Sequence, residues 1–118
     1  MIIVFAEDQT VAVLPDLDSV RTQCETVDVE NGVYRFFDDL GRQLMPRWIA
    51  PVERTSILGK IKLVGGGEFE LELDPQDQGS AFETSLERVV AIEPNPLFET
   101  VAELARQVAA NRDSSSGG

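Results

Sequence analysis

A chain of 118 residues suits one domain with one core, and 21 acidic against 10 basic residues leave a net charge of −11 that disfavours nucleic acid and anionic membranes as partners. The absence of histidine and the single Cys24 close most routes to catalysis near neutral pH and exclude an intrachain disulfide. A non-catalytic cytoplasmic protein that uses no cofactor and no metal is expected.

Ile2–Phe5 reads as a short buried strand, followed by a polar turn at Glu7–Thr10 and a second strand, Val11–Leu14, stopped by Pro15. Met1–Ala6 is too short to span a bilayer, and Glu7 and Asp8 directly behind it argue against a signal peptide. Asp16 or Asp18 is placed to cap a short helix reaching about Cys24, with Leu17, Val20 and Cys24 on one face. Asn31–Gly32 is a favoured two-residue hairpin turn; that register sets Val29 opposite Tyr34, Asp28 opposite Arg35 and Val27 opposite Phe36. A second hairpin follows through Asp39–Leu40–Gly41, with Gly41 in the left-handed position, Phe36 opposite Leu44, Asp38 opposite Arg42, and Trp48 on the shared apolar face. The result is a three-stranded meander over residues 25–49.

Residues 50–58, with Pro51, read as a loop. Lys60–Val64 and Glu68–Leu73 suggest a third hairpin through Gly65–Gly67, pairing Lys62 with Glu70, Lys60 with Glu72, Ile61 with Leu71 and Leu63 with Phe69. A polar linker, Asp74–Ser80, leads to Phe82, Leu86, Val89 and Val90 at helical spacing, although Arg88–Ile92 also fits a strand. Asn95 with Pro96 predicts the start of a final helix whose apolar stripe is Leu97, Val101, Leu104, Ala105 and Val108. Residues 114–118 read as a flexible tail. These elements predict one α+β domain over residues 1–113, an antiparallel hairpin sheet of about five to seven strands with two or three helices packed on one face.

Asp16, Asp18, Asp38 and Asp39 are the acidic doublets that a carboxylate- or metal-dependent hydrolase would use, yet each pair also has a turn or capping role, and no calcium-loop spacing is present. Gly65–Gly67 lacks the helix and the Lys-Ser/Thr pair of a phosphate cradle. Ser80, Ser85 and the terminal serines have no base to activate them. Tyr34, Phe36 and Trp48 fall on the apolar face and read as core. Charge is unevenly spread: residues 42–62 hold Arg42, Arg47, Arg54, Lys60 and Lys62 against Glu53 alone. With cross-strand pairs subtracted, the uncompensated acids are Glu30, Asp39, Glu68, Asp74 and Asp77, with Asp16 and Asp18. Glu30, Asp39, Asp74 and Asp77 are expected to meet a basic partner.

Two segments, Val27–Pro46 (VDVENGVYRFFDDLGRQLMP) and Ile92–Val108 (IEPNPLFETVAELARQV), together about a third of the chain, resemble small acidic immunity proteins encoded beside bacterial secreted toxins. The likeness lies in a hairpin with a D-x-x-G-R turn and a closing helix introduced by N-P. It implies a protein that neutralises one cognate toxin by direct binding, often over the toxin's active site, and it carries over no catalytic residue. A small hydrolase, or an acidic regulatory or structural subunit, is the alternative.

Overall fold

Ile2–Ala6 (β1) and Thr10–Leu14 (β2) have almost no polar position between them, which is the pattern of strands covered on both faces. In the computed structural model they form the central hairpin of a six-stranded sheet. The structure describes every residue except 58, 59, 78, 117 and 118, with side chains also undescribed at 52–66 and 115–116. The further elements are α1 (Leu17–Gln23), α2 (Thr26–Glu30), β3 (Tyr34–Phe37), β4 (Gln43–Ile57), β5 (Lys60–Leu73), α3 (Ala81–Arg88), β6 (Ala91–Ile92) and α4 (Val101–Ser116). The sheet order is β5-β4-β3-β1-β2-β6, and the fold is α+β as expected. One pairing departs from the antiparallel expectation: β6 lies parallel to β2, matching Thr10 to Ala91 and Val11 to Ile92.

Helices cover both faces of the sheet, where one was expected. Ile3, Phe5, Val11, Val13 and Phe37 point to the face closed by Phe82 of α3 and by Leu104 and Val108 of α4. Val4, Leu14, Phe36 and Phe69 point to the other, closed by Val20 and Cys24 at α1 and Val29 of α2. Edge-on contacts among Phe5, Phe37 and Phe82, with ring centroids 5.4–5.8 Å apart, knit the first layer. Arg21 crosses the second layer to donate from Nε (3.0 Å) and Nη2 (2.8 Å) to the Phe69 carbonyl, fixing α1 on β5.

Local chemistry explains the ends of the elements. Asp16 caps α1 by accepting from the Ser19 amide at 2.9 Å. The turn at 38–42 forms as the sequence predicts: Asp38 Oδ1 accepts from the Leu40 and Arg42 amides at 2.9 Å, Asp38 Oδ2 pairs with Arg42 Nε at 2.7 Å, and Phe36 lies opposite Leu44. Gly41 there has φ +74°, and a Cβ on it would collide with the Arg112 guanidinium, which donates from Nε to the Leu40 carbonyl at 2.6 Å. Arg112 also pairs with Glu83 and lies 5.6 Å from the centre of the Phe82 ring, so one arginine ties α4 to α3 and to the turn.

Asn31–Gly32 does not turn a hairpin. Thr26–Glu30 is a helical turn, Asn31 is its cap in the right-handed region (φ −79°), and Gly32, at φ +73°, ends it while the Val33 amide donates to the Asp28 carbonyl. The Val29–Tyr34, Asp28–Arg35 and Val27–Phe36 pairs therefore do not form, and β3 pairs with β1 instead (Val4 opposite Phe36).

Residues 50–57 are strand rather than loop, and 65–67 lie within β5 rather than in a turn. β4 and β5 pair from Leu44–Leu73 to Ile57–Lys60, which replaces the expected Lys62–Glu70, Lys60–Glu72, Ile61–Leu71 and Leu63–Phe69 register. β3 pairs with β4 only at Gln43 and Leu44, so Pro46 and Pro51 sit where one edge of β4 is open and a missing N–H need not break the ladder. Irregularities at Trp48/Ala50 and Glu53/Arg54 absorb the offset. Fifteen extended residues span about 45–50 Å. Within a molecule of 57 × 28 × 23 Å, the β4–β5 ribbon must therefore run along the long axis.

At the C-terminal end, α3 closes at Arg88 and the chain then forms β6, so both readings of residues 82–92 have a share. Asn95 caps only a turn, accepting from the Leu97 (2.9 Å) and Phe98 (2.8 Å) amides. α4 begins later, at Val101, with Thr100 Oγ1 accepting from the Glu103 amide, which leaves Leu97 60% exposed and outside the stripe. Residues 114–116, expected as tail, continue α4.

Candidate functional site

Charge is organised in two places: on the β4–β5 ribbon and around a cavity beside the β1–β2 turn. On the ribbon, alternate residues Glu68, Glu70 and Glu72 share the face opposite Phe69 and Leu71. Phe69 and Leu71 face the layer closed by α1 and α2, so the glutamates point to the opposite side, where Glu68 and Glu72 are exposed and no helix among the described residues covers them. Arg47, opposite Glu70 in the register, pairs with Glu70 and reaches Glu72 at 3.6 Å. Among the described residues, a single guanidinium thus pairs with this row of three carboxylates.

Three of the four acids expected at an interface gather where the ribbon leaves the body. Asp77 Oδ2 accepts from the Gln43 amide at 2.9 Å and its Oδ1 from the Gly79 amide at 3.0 Å; Asp74 Oδ1 accepts from the Gln76 amide at 2.8 Å. Asp39 sits in the neighbouring turn, where its carbonyl accepts from Asn111 Nδ2 at 2.9 Å and its side chain is exposed. Asp74 and Asp77 thus also shape their own loop. Glu30 lies apart, ending α2 before β3, while Asp39 follows β3 at its far end.

Three of the four acids considered for a metal have local duties, and the fourth, Asp39, stands exposed. Asp16 caps α1, and the Ser19 amide, then its hydroxyl, hold that carboxyl below the usual range. Asp18 approaches Arg21 at 3.7 Å, and Asp38 holds its own turn. Among the described residues no three His, Cys, Asp or Glu side chains come together to hold a metal. Burial, followed by the charges of Glu93 and Asp28, pushes the Cys24 thiol from 9.0 up to about 11, so it packs as a neutral thiol. Phe36 is core as expected, and Trp48 lies against Phe69 with ring centroids 5.4 Å apart.

The cavity, of about 300 Å³, opens between the β1–β2 turn, the segment entering β3 and the end of α3. Phe5, Val33 and Val89 supply apolar wall, while Arg35, Arg88, Ser85 and Glu7 supply polar groups. Arg35 lies opposite Phe5 in the β1–β3 register, and therefore on the face that otherwise carries core residues. Sequence reasoning set Arg35 against Asp28 and gave Ser85 and Arg88 no part in a site. No short motif joins these positions; only the pairing of β3 with β1 and the docking of α3 bring them together.

No protein-family model, curated protein or solved structure matches this chain. No helix among the described residues is long and apolar enough to cross a membrane.

Proposed function

We propose that this chain is a non-catalytic acidic binding protein that meets a basic protein on the uncovered face of its β4–β5 ribbon, and that it acts as an immunity protein, neutralising a cognate bacterial toxin by occluding its active site in the cytoplasm. The observation that supports this reading is the trio Glu68, Glu70 and Glu72 on an exposed sheet face with, among the described residues, only Arg47 paired to them, in a chain of net charge −11. An extended strand with one face free offers a rigid row of carboxylates, and such a row steers a basic partner into register before short-range contacts form. Asp39, Asp74 and Asp77 continue the row at the base of the ribbon.

The test is stopped-flow association with the product of the adjacent gene, together with protection of cells that express that product. Glu68→Lys with Glu72→Lys is expected to slow association by roughly tenfold or more at low salt and to flatten its salt dependence, with the unfolding midpoint little changed. Failure of the wild-type protein to bind or protect would refute the immunity reading. Tight binding with unchanged rate and salt response in the double variant would move the interface elsewhere.

A further inference from the structure

We propose that the cavity between the β1–β2 turn and α3 is a binding site for a small organic anion, a carboxylate or a phosphate ester on a short carbon skeleton, independent of the ribbon interface. Its volume of about 300 Å³ is at the small end of ligand pockets, and it pairs apolar wall with a few convergent polar groups.

Three observations converge. Arg35 and Arg88 border one cavity, and neither side chain makes an ion pair or hydrogen bond with the described residues, although the chain holds 21 acids. Arg21, Arg42, Arg47 and Arg112 are by contrast all engaged with carboxylates. The second observation is Ser85. It is only 4% exposed, it lines the cavity, and its Oγ has no hydrogen-bond partner among the described residues. Serines in helices commonly donate back to the carbonyl four residues earlier, and buried polar groups are nearly always paired; the Ser85 oxygen is shielded as well as unpaired, so the side chain reaches a ligand by turning about its Cα–Cβ bond toward the cavity. The third is that the walls are tied together before any ligand arrives. Gln9, the single described non-glycine residue with positive φ (+68°), accepts from the Val90 amide at 2.8 Å and so joins the β1–β2 turn to the segment leaving α3.

Two guanidinium forks and a hydroxyl suit the oxygens of a carboxylate or phosphate, which accept several hydrogen bonds at once, each fork meeting two oxygens side by side. Phe5, Val33 and Val89 are placed to cover a short skeleton. Glu7 lowers the local charge to a net +1, since it is the one acid beside Arg35 and Arg88 on the lining, and it offers an acceptor to a hydroxyl or ammonium group on the same ligand.

The experiment is a ¹H–¹⁵N NMR titration of the full chain with inorganic phosphate, glycerol 3-phosphate, succinate and glutamate in turn. The expected result is saturable shifts at Arg35, Ser85 and Arg88 with at least one of the three organic anions; which of them binds separates phosphate from carboxylate chemistry. Ser85→Ala keeps a good helix former and removes the unpaired hydroxyl, so it is expected to fold at least as stably as wild type while binding several-fold more weakly. Arg35→Gln and Arg88→Gln should each weaken binding by roughly tenfold or more. The proposal fails if no panel member shifts these resonances, if inorganic phosphate alone does so, or if binding survives in the doubly substituted Arg35→Gln, Arg88→Gln protein.

Discussion

Strands β1, β2 and β3 and the β4–β5 ribbon belong to one sheet yet are built on opposite terms. The three short strands pack core residues on both faces, and their apolar runs are broken only by Thr10 at the start of β2 and by Arg35, which borders the cavity. The described side chains of the ribbon, at residues 43–51 and 67–73, are covered on one face, where Phe69 and Trp48 meet the α1–α2 layer, and show charge on the other. Stability concentrates in the first region and recognition chemistry is displayed on the second. A rigid body carrying a long two-stranded arm can tolerate repulsion among Glu68, Glu70 and Glu72 because little folding free energy depends on that face.

The largest expected effect lies in the doubly covered region. Phe37→Ala removes a fully buried ring that contacts both Phe5 and Phe82, and denaturant unfolding should show a loss of about 3–5 kcal/mol. Leu73→Ala on the ribbon removes a side chain that is 51% exposed and should change stability by no more than about 0.5 kcal/mol. Comparable losses at the two sites would erase the distinction between the regions.

Next is a pH effect on the helix-covered layer. The native state keeps the Cys24 proton that the unfolded chain releases between pH 9.0 and about 11. Stability from this group is therefore complete below pH 9, declines through that window and levels off above it, by on the order of 2–3 kcal/mol. Cys24→Ala should remove that decline, seen as the difference between the two proteins' unfolding free energies from pH 8 to about pH 11. Parallel curves would mean that the thiol is hydrated.

Gly41→Ala comes third, at roughly 1–2 kcal/mol, because alanine must adopt the left-handed conformation and also displace the Arg112 guanidinium. In an Arg112→Ala background the second part disappears, so the penalty should shrink without vanishing. Simple additivity in this cycle would show that Arg112 does not press on the turn.

What could be read from the chain follows the same division. The 38–42 turn and the Phe36–Leu44 register are local, set by Asp38, Gly41 and strand alternation, and they were legible. Asn31–Gly32 misled because a left-handed glycine ends a helix as readily as it turns a hairpin, and V-D-V alternation fits one helical turn as well as a strand. Gly65–Gly67 looked like a turn because glycine runs usually are; the pairing of β5 with the whole of β4 depends on partners far along the chain. Of the candidate sites, the acid excess was visible at once, but its arrangement on the ribbon required the true register. The Arg35–Ser85–Arg88 cavity draws on segments some fifty residues apart and left no local signal.

The smallest expected change in stability bears most directly on function. Arg47 is 56% exposed and its partners Glu70 and Glu72 are 43% and 48% exposed, so water screens the pairs. Arg47→Gln should alter unfolding free energy by less than about 1 kcal/mol. It nevertheless removes the cation that, among the described residues, pairs with Glu70 and Glu72, and so makes the ribbon face more acidic. Association with a basic partner should therefore quicken at low salt, and the gain should fade as ionic strength rises and the screening length drops toward about 8 Å. A stability loss as large as that of Phe37→Ala would show that the network holds the ribbon together. Unchanged stability with an unchanged association rate would show that the partner never meets this face.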